Sequence, residues 1–500
     1  MDFLDPKKKR AYKIRLIIGY VLVAIVIGLG TVIIVYGASG YGINTKTGQI
    51  IQNGLLFTDS KPRGAEIYLN GKDQHSTTSA RLVLPAGNYT LTLKKTGYQD
   101  WNRSFALNEQ SIGRYVYPFL FPVKPQITNL KTYDSAPALI TQTPDYKWLL
   151  VENNAASAKA PTFDQYDTTT LDNATPDVTT VSLPADLLTN YTSNSQLTEV
   201  EWSTDNVHLL LQHTTADGIE YVVFNRTHPD QSFNVNKMFG ITPSQVSLYD
   251  KKIDQLYIFD QTTGTLRLGD TSTKVLAPVL LNNVLAYKSY GKDLITYVTD
   301  NGEPAGKVAA RIWDGSKSYK LNEFNAGNVY LIDTAQFQGH FYYADGSNMS
   351  DWVYVFKDPL DDIRDPATAK ALPVVALHDP GATKIKFSAN TRFIGAENAQ
   401  NFAVYDMETQ SSYQYTLSDP LADNMSWMDG HRLIGASGGS VLVMDYDGIN
   451  KHLVTPTLLS QGAYFSSNYN HMLTVATNTD GTVVLQNVDM RAGTDLPKKP

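Results

Sequence analysis

The sequence predicts a mainly β protein with one N-terminal transmembrane helix, then a small β-sandwich, then a β-propeller. Three observations predict this order: a single apolar run near the N-terminus, short alternating strands after it, and a strand–turn–strand unit that recurs toward the end. The 500 residues exceed one ordinary hydrophobic core, so two or more domains are expected. The expected parts are a basic cytoplasmic tail at 1–15, a transmembrane helix at 16–36, a stalk at 37–49, a sandwich at 50–123 and a propeller at 130–497.

The apolar run covers Leu16–Tyr36, 21 residues without charge or proline. At about 1.5 Å per residue it reaches roughly 30 Å, the thickness of the hydrocarbon core of a bilayer. Six basic residues precede it, and the next basic residue is Lys46. Because basic flanks stay in the cytoplasm, the sequence predicts a single-pass cell-membrane protein with its N-terminus inside and its C-terminal domains outside. The first predicted partner is therefore the lipid bilayer, bound through Leu16–Tyr36.

A cleaved signal peptide is the alternative interpretation of this run. The apolar region of a signal peptide spans about 7–15 residues and ends at a site of small residues. Here the run is longer, and Gly37–Gly40 is a mediocre cleavage site, so the sequence favours an uncleaved anchor. A buried helix of a soluble protein is disfavoured, because such a helix would show a polar face.

Composition excludes several classes of function. Beyond residue 15 the chain carries 36 basic and 47 acidic residues, which is a poor surface for phosphates, so no nucleic-acid partner is expected. The chain has no cysteine, which excludes a disulfide scaffold, thiol catalysis and cysteine-ligated metals. Thirty tyrosines, many Thr, Ser and Asn residues, and frequent Gly and Asp turns favour β structure.

Residues 50–123 alternate apolar and polar side chains in short segments, the pattern of half-buried strands. Segment 66–69 ends at Asn70-Gly71, a type I′ hairpin signal. Further strands are expected at 81–84, 89–93 and 101–107. Four to six strands in about 70 residues predict a small antiparallel sandwich.

The same residues carry spaced motifs: Pro62-Arg63-Gly64-Ala65, Asn70-Gly71, Leu84-Pro85-Ala86-Gly87 and Lys95-Thr96-Gly97-Tyr98-Gln99-Asp100-Trp101. In this order they resemble the PEGA domain, although Arg63 stands where the family name has glutamate. The resemblance implies an envelope-associated bacterial or archaeal β-sandwich, with no catalytic residues to carry over. We expect Tyr98 and Trp101 to lie in the core, and a sugar-binding platform is the alternative.

From about residue 130 onward one unit recurs: a strand, a tight polar turn and a second apolar strand. The clearest copy is Val200–Leu211. Eight such turns fall between Asp145 and Asn468 at a mean spacing of about 46 residues. They lie at 143–148, 203–207, 249–252, 290–292, 337–339, 387–392, 427–431 and 465–470. A third strand ending in Asp or Asn is expected at 222–225, 257–260, 403–406 and 442–445.

A period of about 40–50 residues with four strands per unit is typical of a β-propeller, in which neighbouring blades cover both faces of each sheet. The units resemble WD40-like blades of the TolB type, although Thr204 and Asn206 stand where that pattern has proline and glycine. Eight blades are favoured, and seven are possible because the fourth and fifth units are poorly marked. A string of β-sandwiches is the remaining alternative.

The sequence gives no catalytic, cofactor-binding or metal-ligating residue, and no cofactor is expected. Gly435–Gly439 fits G-x-S-x-G, but the run after it is strand-like, where a hydrolase needs a helix. His208 and His213 do not form the spacing of a zinc helix. Asp445–Asn450 resembles the start of a calcium loop without its glutamate, so a turn is expected. A solvated inter-strand loop, with a cation site as the alternative, is expected to hold Asp358, Asp361, Asp362 and Asp365.

These observations predict a membrane-tethered cell-envelope protein that displays its propeller as a platform for binding a protein, a peptide or an envelope polysaccharide. No enzymatic activity is expected. An envelope glycan lyase or hydrolase is one alternative, which paired carboxylates about 5–10 Å apart in the central channel would favour. An apolar or aromatic channel would favour binding. A structural surface protein is the second alternative.

Overall fold

The computed structural model describes residues 6–38, 41–43, 50–153, 159–173, 175–192, 195–368, 370–423 and 425–497. Strands dominate these residues, which confirms the mainly β prediction. The chain divides into two compact units. The first unit contains Met1–Lys124 with Ala492–Asp495, and the second contains Pro125–Arg491 with Leu496–Pro500.

Helix α1 (Pro6–Ala38) contains the whole apolar run and begins well before it. Its Lys9–Gly37 stretch is long and apolar enough to cross a membrane, and none of its most apolar window is buried. The hydroxyl of Thr31 is satisfied within the helix, because Thr31 Oγ1 donates to the carbonyl of Ile27 at 2.8 Å. This helix is compatible with a single-pass membrane anchor or with a signal sequence.

The predicted tail and stalk are only partly covered by the described residues. Positions 1–5, 39–40 and 44–49 lie outside them. Positions 6–15 of the predicted tail belong to α1. Within the predicted stalk, β1 (Tyr41–Ile43) is a short strand that pairs with residues 50–52. A strand therefore follows the helix almost directly.

The first unit contains a sandwich of two sheets. Its further strands are β2 (Ile50–Thr58), β3 (Glu66–Leu69), β4 (Lys72–Thr77), β5 (Ala80–Pro85), β6 (Gly87–Lys94), β7 (Trp101–Leu107) and β8 (Ile112–Tyr115). In one sheet β2 pairs with β1, β5 and β8, and the other has the order β4-β3-β6-β7. The prediction of four to six strands was too low, because short, half-exposed strands such as β8 carry a weak alternation signal.

The sandwich core and its first hairpin follow the sequence prediction. Trp101 and Tyr98 are 1% and 5% exposed and pack with Leu56 and other aliphatic side chains of both sheets. Their placement in the core is confirmed, and neither forms a surface platform. Asn70 and Gly71 both have positive φ, 48° and 76°, as a type I′ turn between β3 and β4 requires.

The segment Ala492–Asp495 near the C-terminus also belongs to the first unit. The Asp495 carboxylate accepts hydrogen bonds from Lys95 Nζ at 3.0 Å and from the Tyr98 hydroxyl at 2.9 Å. The Ala492 amide donates to the Tyr98 hydroxyl oxygen at 2.7 Å. These contacts place 492–495 with the sandwich, whereas the sequence extended the propeller through them.

In its described residues the second unit contains eight four-stranded antiparallel sheets, numbered 1 to 8 here. The chain enters through β9 (Gln126–Tyr133). Sheet 1 then contains β10 (Ile140–Gln142), β11 (Trp148–Glu152), β12 (Thr162–Asp167) and β13 (Val178–Ser182). Sheet 2 contains β14 (Gln196–Trp202), β15 (His208–Thr215), β16 (Gly218–Asn225) and β17 (Phe233–Asn234). Sheet 3 contains β18 (Gln245–Tyr249), β19 (Lys252–Asp260), β20 (Thr265–Asp270) and β21 (Val275–Leu281). Sheet 4 contains β22 (Ala286–Tyr290), β23 (Leu294–Thr299), β24 (Lys307–Trp313) and β25 (Ser318–Asn325).

The remaining sheets repeat this pattern. Sheet 5 contains β26 (Tyr330–Phe337), β27 (His340–Ser347), β28 (Trp352–Lys357) and β29 (Val375–His378). Sheet 6 contains β30 (Lys384–Phe387), β31 (Phe393–Glu397), β32 (Asn401–Asp406) and β33 (Ser411–Thr416). Sheet 7 contains β34 (Ser426–Trp427), β35 (Arg432–Ser437), β36 (Ser440–Asp445) and β37 (His452–Pro456). Sheet 8 contains β38 (Tyr464–Phe465), β39 (His471–Thr477), β40 (Val483–Asp489) and, as its outer strand, β9. Two short helices, α2 (Val235–Phe239) and α3 (Pro359–Arg364), lie in connections.

The eight sheets form a closed ring. Strand β9, at the start of the unit, pairs with β40 and completes the last sheet. The two ends of the unit are therefore joined by a strand pair. Hydrogen bonds link every sheet to the next, including the eighth to the first. They join Trp202 to Thr141 (2.7 Å), Thr204 to Lys251 (3.0 Å), Ser247 to Tyr287 (2.8 Å), Thr296 to Thr334 (2.9 Å), Thr391 to Gln336 (2.6 Å), Trp427 to Lys386 (3.0 Å), Tyr469 to Met428 (3.3 Å) and Gln142 to Phe465 (2.7 Å). This is the arrangement of a β-propeller, which leaves no long sheet edge exposed.

All eight predicted turns join the first and second strands of a sheet. In the clearest copy, the Asp205 carboxylate accepts the amide of Val207 at 2.8 Å, and Asn206 has a φ of 59°. The short polar side chain fixes the turn by bonding to the backbone two residues on. One strand assignment was wrong: residues 257–260 end the second strand of sheet 3, because β19 is nine residues long and leaves no room for a third strand there.

Candidate functional site

The first strands lie at the inner edge of the ring, where β14 contacts β18, β22 contacts β26 and β26 contacts β30. Four of them carry a charged side chain near their middle. These are Glu199 on β14, Lys288 on β22, Asp333 on β26 and Lys386 on β30, and we call this set the charged centre. They come from sheets 2, 4, 5 and 6.

Electrostatic interactions join these side chains across the ring. Lys386 of sheet 6 interacts with Glu199 of sheet 2, and also with Lys288 and Asp333. In a ring of eight sheets, the second and sixth lie opposite each other. Side chains from opposite sheets can approach only across the central channel, so the charged centre lines that channel.

The protein around the channel shifts the pKa values of Glu199, Asp333 and Lys386, although the side chains of Glu199 and Lys386 are exposed to solvent. Burial raises the pKa of the Glu199 carboxyl, and a hydrogen bond from Thr141 and the charge of Lys386 oppose that rise. Burial also raises the pKa of the Asp333 carboxyl, against the charge of Lys288. Burial lowers the pKa of the Lys386 amine, which neighbouring lysines lower further. Each group therefore pays a desolvation cost that an opposite charge only partly offsets.

Neighbouring polar groups hold the two carboxylates in place. Thr141 Oγ1 donates to Glu199 Oε2 at 2.6 Å and accepts from the Trp202 indole at 2.7 Å. The amide of Thr334 donates to Asp333 Oδ1 at 3.0 Å. Strands β10, β14 and β26 thus orient the acidic side chains through groups that belong to the ring itself.

The lining of the channel is neither a pair of carboxylates alone nor an apolar surface. Acidic side chains alternate with lysines in the charged centre. A ligand that carries both negative and positive groups could therefore pair with these side chains. Among the described residues, no group of three or more His, Asp or Glu side chains is arranged to hold a metal ion.

A second polar region lies at the end of the ring opposite the predicted turns. Asp345, Asp379 and Glu397 are 0%, 1% and 7% exposed. Burial raises the pKa of each carboxyl to about 7. Asp379 contributes to the shift of Glu397, so these two carboxyls lie near each other. Because such buried groups cannot contact a large substrate, this region fits a structural role better than a catalytic one.

A groove of about 910 Å³ opens beside the same end of sheets 2 and 3, and Thr189, Glu220 and Lys237 are among its lining residues. Glu220 accepts from buried His213 Nδ1 at 2.8 Å and from the amide of Thr189. Hydrogen bonds from His213, Thr189 and Asn234 lower the pKa of Glu220 to about 2 even though its burial acts to raise it. The hydrogen bonds of this carboxylate therefore hold the loop that contains Thr189.

The structure places the motifs of the sequence in structural roles. Gly438 and Gly439 join β35 to β36, so G-x-S-x-G is a hairpin. Asp445 accepts from Asn450 at 2.8 Å within a turn. His208 contacts Asp205 at 2.6 Å, whereas His213 lies inside sheet 2. The predicted loop around Asp358–Asp365 is wrong, because Pro359 starts helix α3 there.

Sequence reasoning did not single out the charged centre. Each of its residues lies in a predicted first strand, a few positions before a predicted turn. A charged residue in the strand before each of these turns was the available signal. Nothing in the chain order shows that positions 199 and 386 face each other, since this depends on closure of the ring.

Residues 53–114 match the PEGA domain. The predicted PEGA domain is confirmed over this range, which is part of the sandwich. No curated protein matches the chain.

Solved structures with similar folds include an uncharacterized protein from Listeria monocytogenes, at 13% identity and TM-score 0.38, covering 66% of this chain and 91% of that one. An oligogalacturonate lyase in complex with manganese is 11% identical with TM-score 0.37, covering 74% and 98%. The Pan2 WD40 domain of Neurospora crassa is 10% identical with TM-score 0.36, covering 74% and 98%. These likenesses are too low to carry function, and the propeller assignment rests on the closed ring.

Proposed function

We propose that this protein is a membrane-tethered protein of the cell envelope whose PEGA domain and propeller lie outside the cytoplasm. The propeller binds a protein, a peptide or a polysaccharide at the charged centre. The PEGA domain spaces the propeller from the membrane. Support for the tether comes from the apolar helix α1 and from the basic residues before Leu16.

The observation that carries the binding proposal is the convergence of Glu199, Lys288, Asp333 and Lys386 on the channel. Charges held in a partly desolvated channel cost stability, and a ring of sheets does not need them to close. Groups with such perturbed pKa values cluster at functional sites. A ligand with both acidic and basic groups would offset the cost by pairing with them.

A binding role is favoured over catalysis. A general acid needs a raised pKa and access to its substrate. The carboxyls with pKa values of about 7, Asp379 and Glu397, have the first property, but they are almost fully buried. The acidic residues that do face the channel are opposed by lysines. We therefore propose no enzymatic activity for this chain.

Photo-crosslinking in intact cells tests the site. A photoreactive amino acid at Lys288 should yield specific adducts, and the Lys386→Glu change in the same chain should reduce them at least tenfold. The matched control is the same photoreactive group at Ser412, which is exposed on β33, the outer strand of sheet 6. Equal adducts from both positions, or none from position 288, would contradict the proposed site.

Protease accessibility tests the tether separately. Protease added to intact cells should degrade the propeller while α1 stays with the membrane. A propeller that survives until the membrane is permeabilised would mean that the proposed topology is wrong. A propeller recovered in the medium without α1 would instead indicate a cleaved signal sequence.

A further inference from the structure

The two sheets of the sandwich present very different surfaces on their outward faces. In the sheet centred on β2, Leu56, Leu82 and Tyr115 point inward and pack in the core. The alternate residues of the same strands must point outward, because successive side chains of a strand lie on opposite faces.

The strand register arranges the outward residues in two adjoining rows. Leu55 on β2 lies opposite Val83 on β5 and Ile112 on β8. Phe57, two residues later, lies opposite Arg81 and Arg114. One row is therefore entirely aliphatic, and the next places an arginine on each side of a phenylalanine. We call these six residues the arginine–apolar face.

Four of the six residues of this face are exposed to solvent, and Leu55 and Phe57 are half-buried between them. Val83 and Ile112 are 55% and 60% exposed, and both arginines are exposed. No ion pair or hydrogen bond is found for the side chains of Arg81 and Arg114 among the described residues. Two unpaired guanidinium groups beside exposed aliphatic side chains favour a partner that is anionic and also apolar beneath its charged surface.

The outward face of the other sheet has a polar composition instead. There Thr90 pairs with Ser104 at 3.2 Å, and Thr92 donates to Asn102 at 2.7 Å. These short polar side chains satisfy one another and offer no aliphatic surface. The composition of the arginine–apolar face is thus not a general property of the exposed surface of this sandwich.

The chain places the arginine–apolar face next to the membrane helix. Strand β1 follows α1 after two residues, and the ring of Tyr41 lies 5.0 Å from the ring of Tyr36 at the end of the apolar run. Strand β1 then pairs with the first residues of β2, which carries Leu55 and Phe57. At about 3.3 Å per residue, the face begins within a few residues of the bilayer boundary.

We propose that the arginine–apolar face docks on the outer surface of the membrane that α1 anchors and binds anionic lipid headgroups. Arg81 and Arg114 pair with lipid phosphates, and the aliphatic row reaches the boundary between headgroups and acyl chains. This inference rests on the proposed membrane tether. It adds a second, lipid-dependent contact that lays the sandwich against the bilayer.

The absence of cysteine in the chain allows a direct test. The full chain with Val83→Cys, labelled with an environment-sensitive fluorophore, is incorporated into vesicles of phosphatidylcholine alone or mixed equally with phosphatidylglycerol. We expect blue-shifted emission and quenching by spin-labelled lipid in the mixed vesicles only. The same label at Ser104→Cys, on the polar outward face, should remain in water in both.

Charge variants identify the cause of any shift. Arg81→Glu with Arg114→Glu should lower the ratio of docked to undocked sandwich by about thirtyfold or more, since each cation near an anionic surface contributes about a factor of five. The milder pair Arg81→Gln with Arg114→Gln should weaken docking without reversing charge. Lys72→Glu with Lys370→Glu changes the net charge equally at exposed positions elsewhere and should leave docking intact.

The possible outcomes distinguish a failure of lipid docking from a failure of the membrane tether. If the labelled chain does not float with vesicles, the tether itself is wrong. If it floats but the label at position 83 stays in water in mixed vesicles, docking is overturned while the tether stands. If soluble poly(glycerol phosphate) shifts the label in phosphatidylcholine vesicles, the face binds an anionic polymer, and the lipid inference is overturned.

Discussion

Replacing Asp345 by asparagine should stabilise the second unit at alkaline pH and much less at acidic pH. Asp345 lies on β27 and is fully buried. Its Oδ1 accepts a hydrogen bond from Asn322 at 2.8 Å, whereas its Oδ2 has no partner among the described residues. One donor cannot compensate for the burial of a carboxylate, so burial raises the pKa of this carboxyl to about 7.

The sign of the effect follows from proton binding. Between the unfolded pKa and the folded one, the native state binds more protons than the unfolded state, so stability falls as pH rises. A shift of the pKa from its ordinary value of 3.8 to about 7 corresponds to a total loss of about 4 kcal/mol in the free energy of unfolding. By the same relation, about 2–3 kcal/mol of this loss falls between about pH 5 and pH 8.

The asparagine variant removes that loss. Its carbonyl oxygen can still accept from Asn322, and it carries no charge at any pH. Below the unfolded pKa the protonated carboxyl and the amide are both neutral and each leaves its donor group without a partner, so their stabilities should be close. The variant should therefore exceed the native protein by about 4 kcal/mol at about pH 8, and by about 1–2 kcal/mol at about pH 5.

Urea unfolding of the full chain in detergent, followed by tryptophan fluorescence, measures this difference. Five of the six tryptophans lie in the second unit, so the signal reports mainly on the propeller. Asp300→Asn is the matched control, because Asp300 is exposed and the change should show no dependence on pH. No gain at pH 8, or an equal gain at both pH values, would refute the reasoning.

The remaining predictions concern packing and a buried ion pair. Trp101→Ala in the PEGA domain should lower the free energy of unfolding by about 3–5 kcal/mol in a denaturation measurement, because the side chain is 1% exposed. Trp352→Ala should cost far less, because that side chain is 41% exposed. Similar losses at both sites would contradict this packing. Arg392→Met should cost about 3–5 kcal/mol, because it leaves the fully buried carboxylate of Asp406 without the two bonds at 2.9 and 2.6 Å. Adding Asp406→Leu should recover much of that loss, and a double variant no more stable than Arg392→Met would show that the charge was not the cause.

Local patterns were sufficient for the parts of the fold that depend on local physics. The hairpin at Asn70-Gly71 could be predicted because only a few residues accept positive φ at both turn positions. The eight turns of the propeller could be predicted because each contains an Asp, an Asn or a Gly, the residues that suit a tight turn between strands. Strand bounds such as those of β19 were less certain, because nothing local marks where a long strand gives way to the next.

The charged centre lies beyond the reach of such patterns. Glu199 and Lys386 are almost two hundred positions apart, and each alone resembles an exposed strand residue. Their proximity depends on β9 completing sheet 8 and on the ring closing at a fixed circumference. The same holds for the face that Leu55, Arg81 and Arg114 share, which requires the register of three strands.

The sequence by itself determined the apolar helix, the PEGA domain and the repeated β unit, because hydrophobic period, turn chemistry and spacing are properties of neighbouring residues. The tertiary structure alone decided which charged side chains meet in the channel and which residues of the sandwich face outward together. The physical reason is that strand pairing and ring closure join distant segments. Burial and charge at those places depend on contacts that no local stretch of the chain contains.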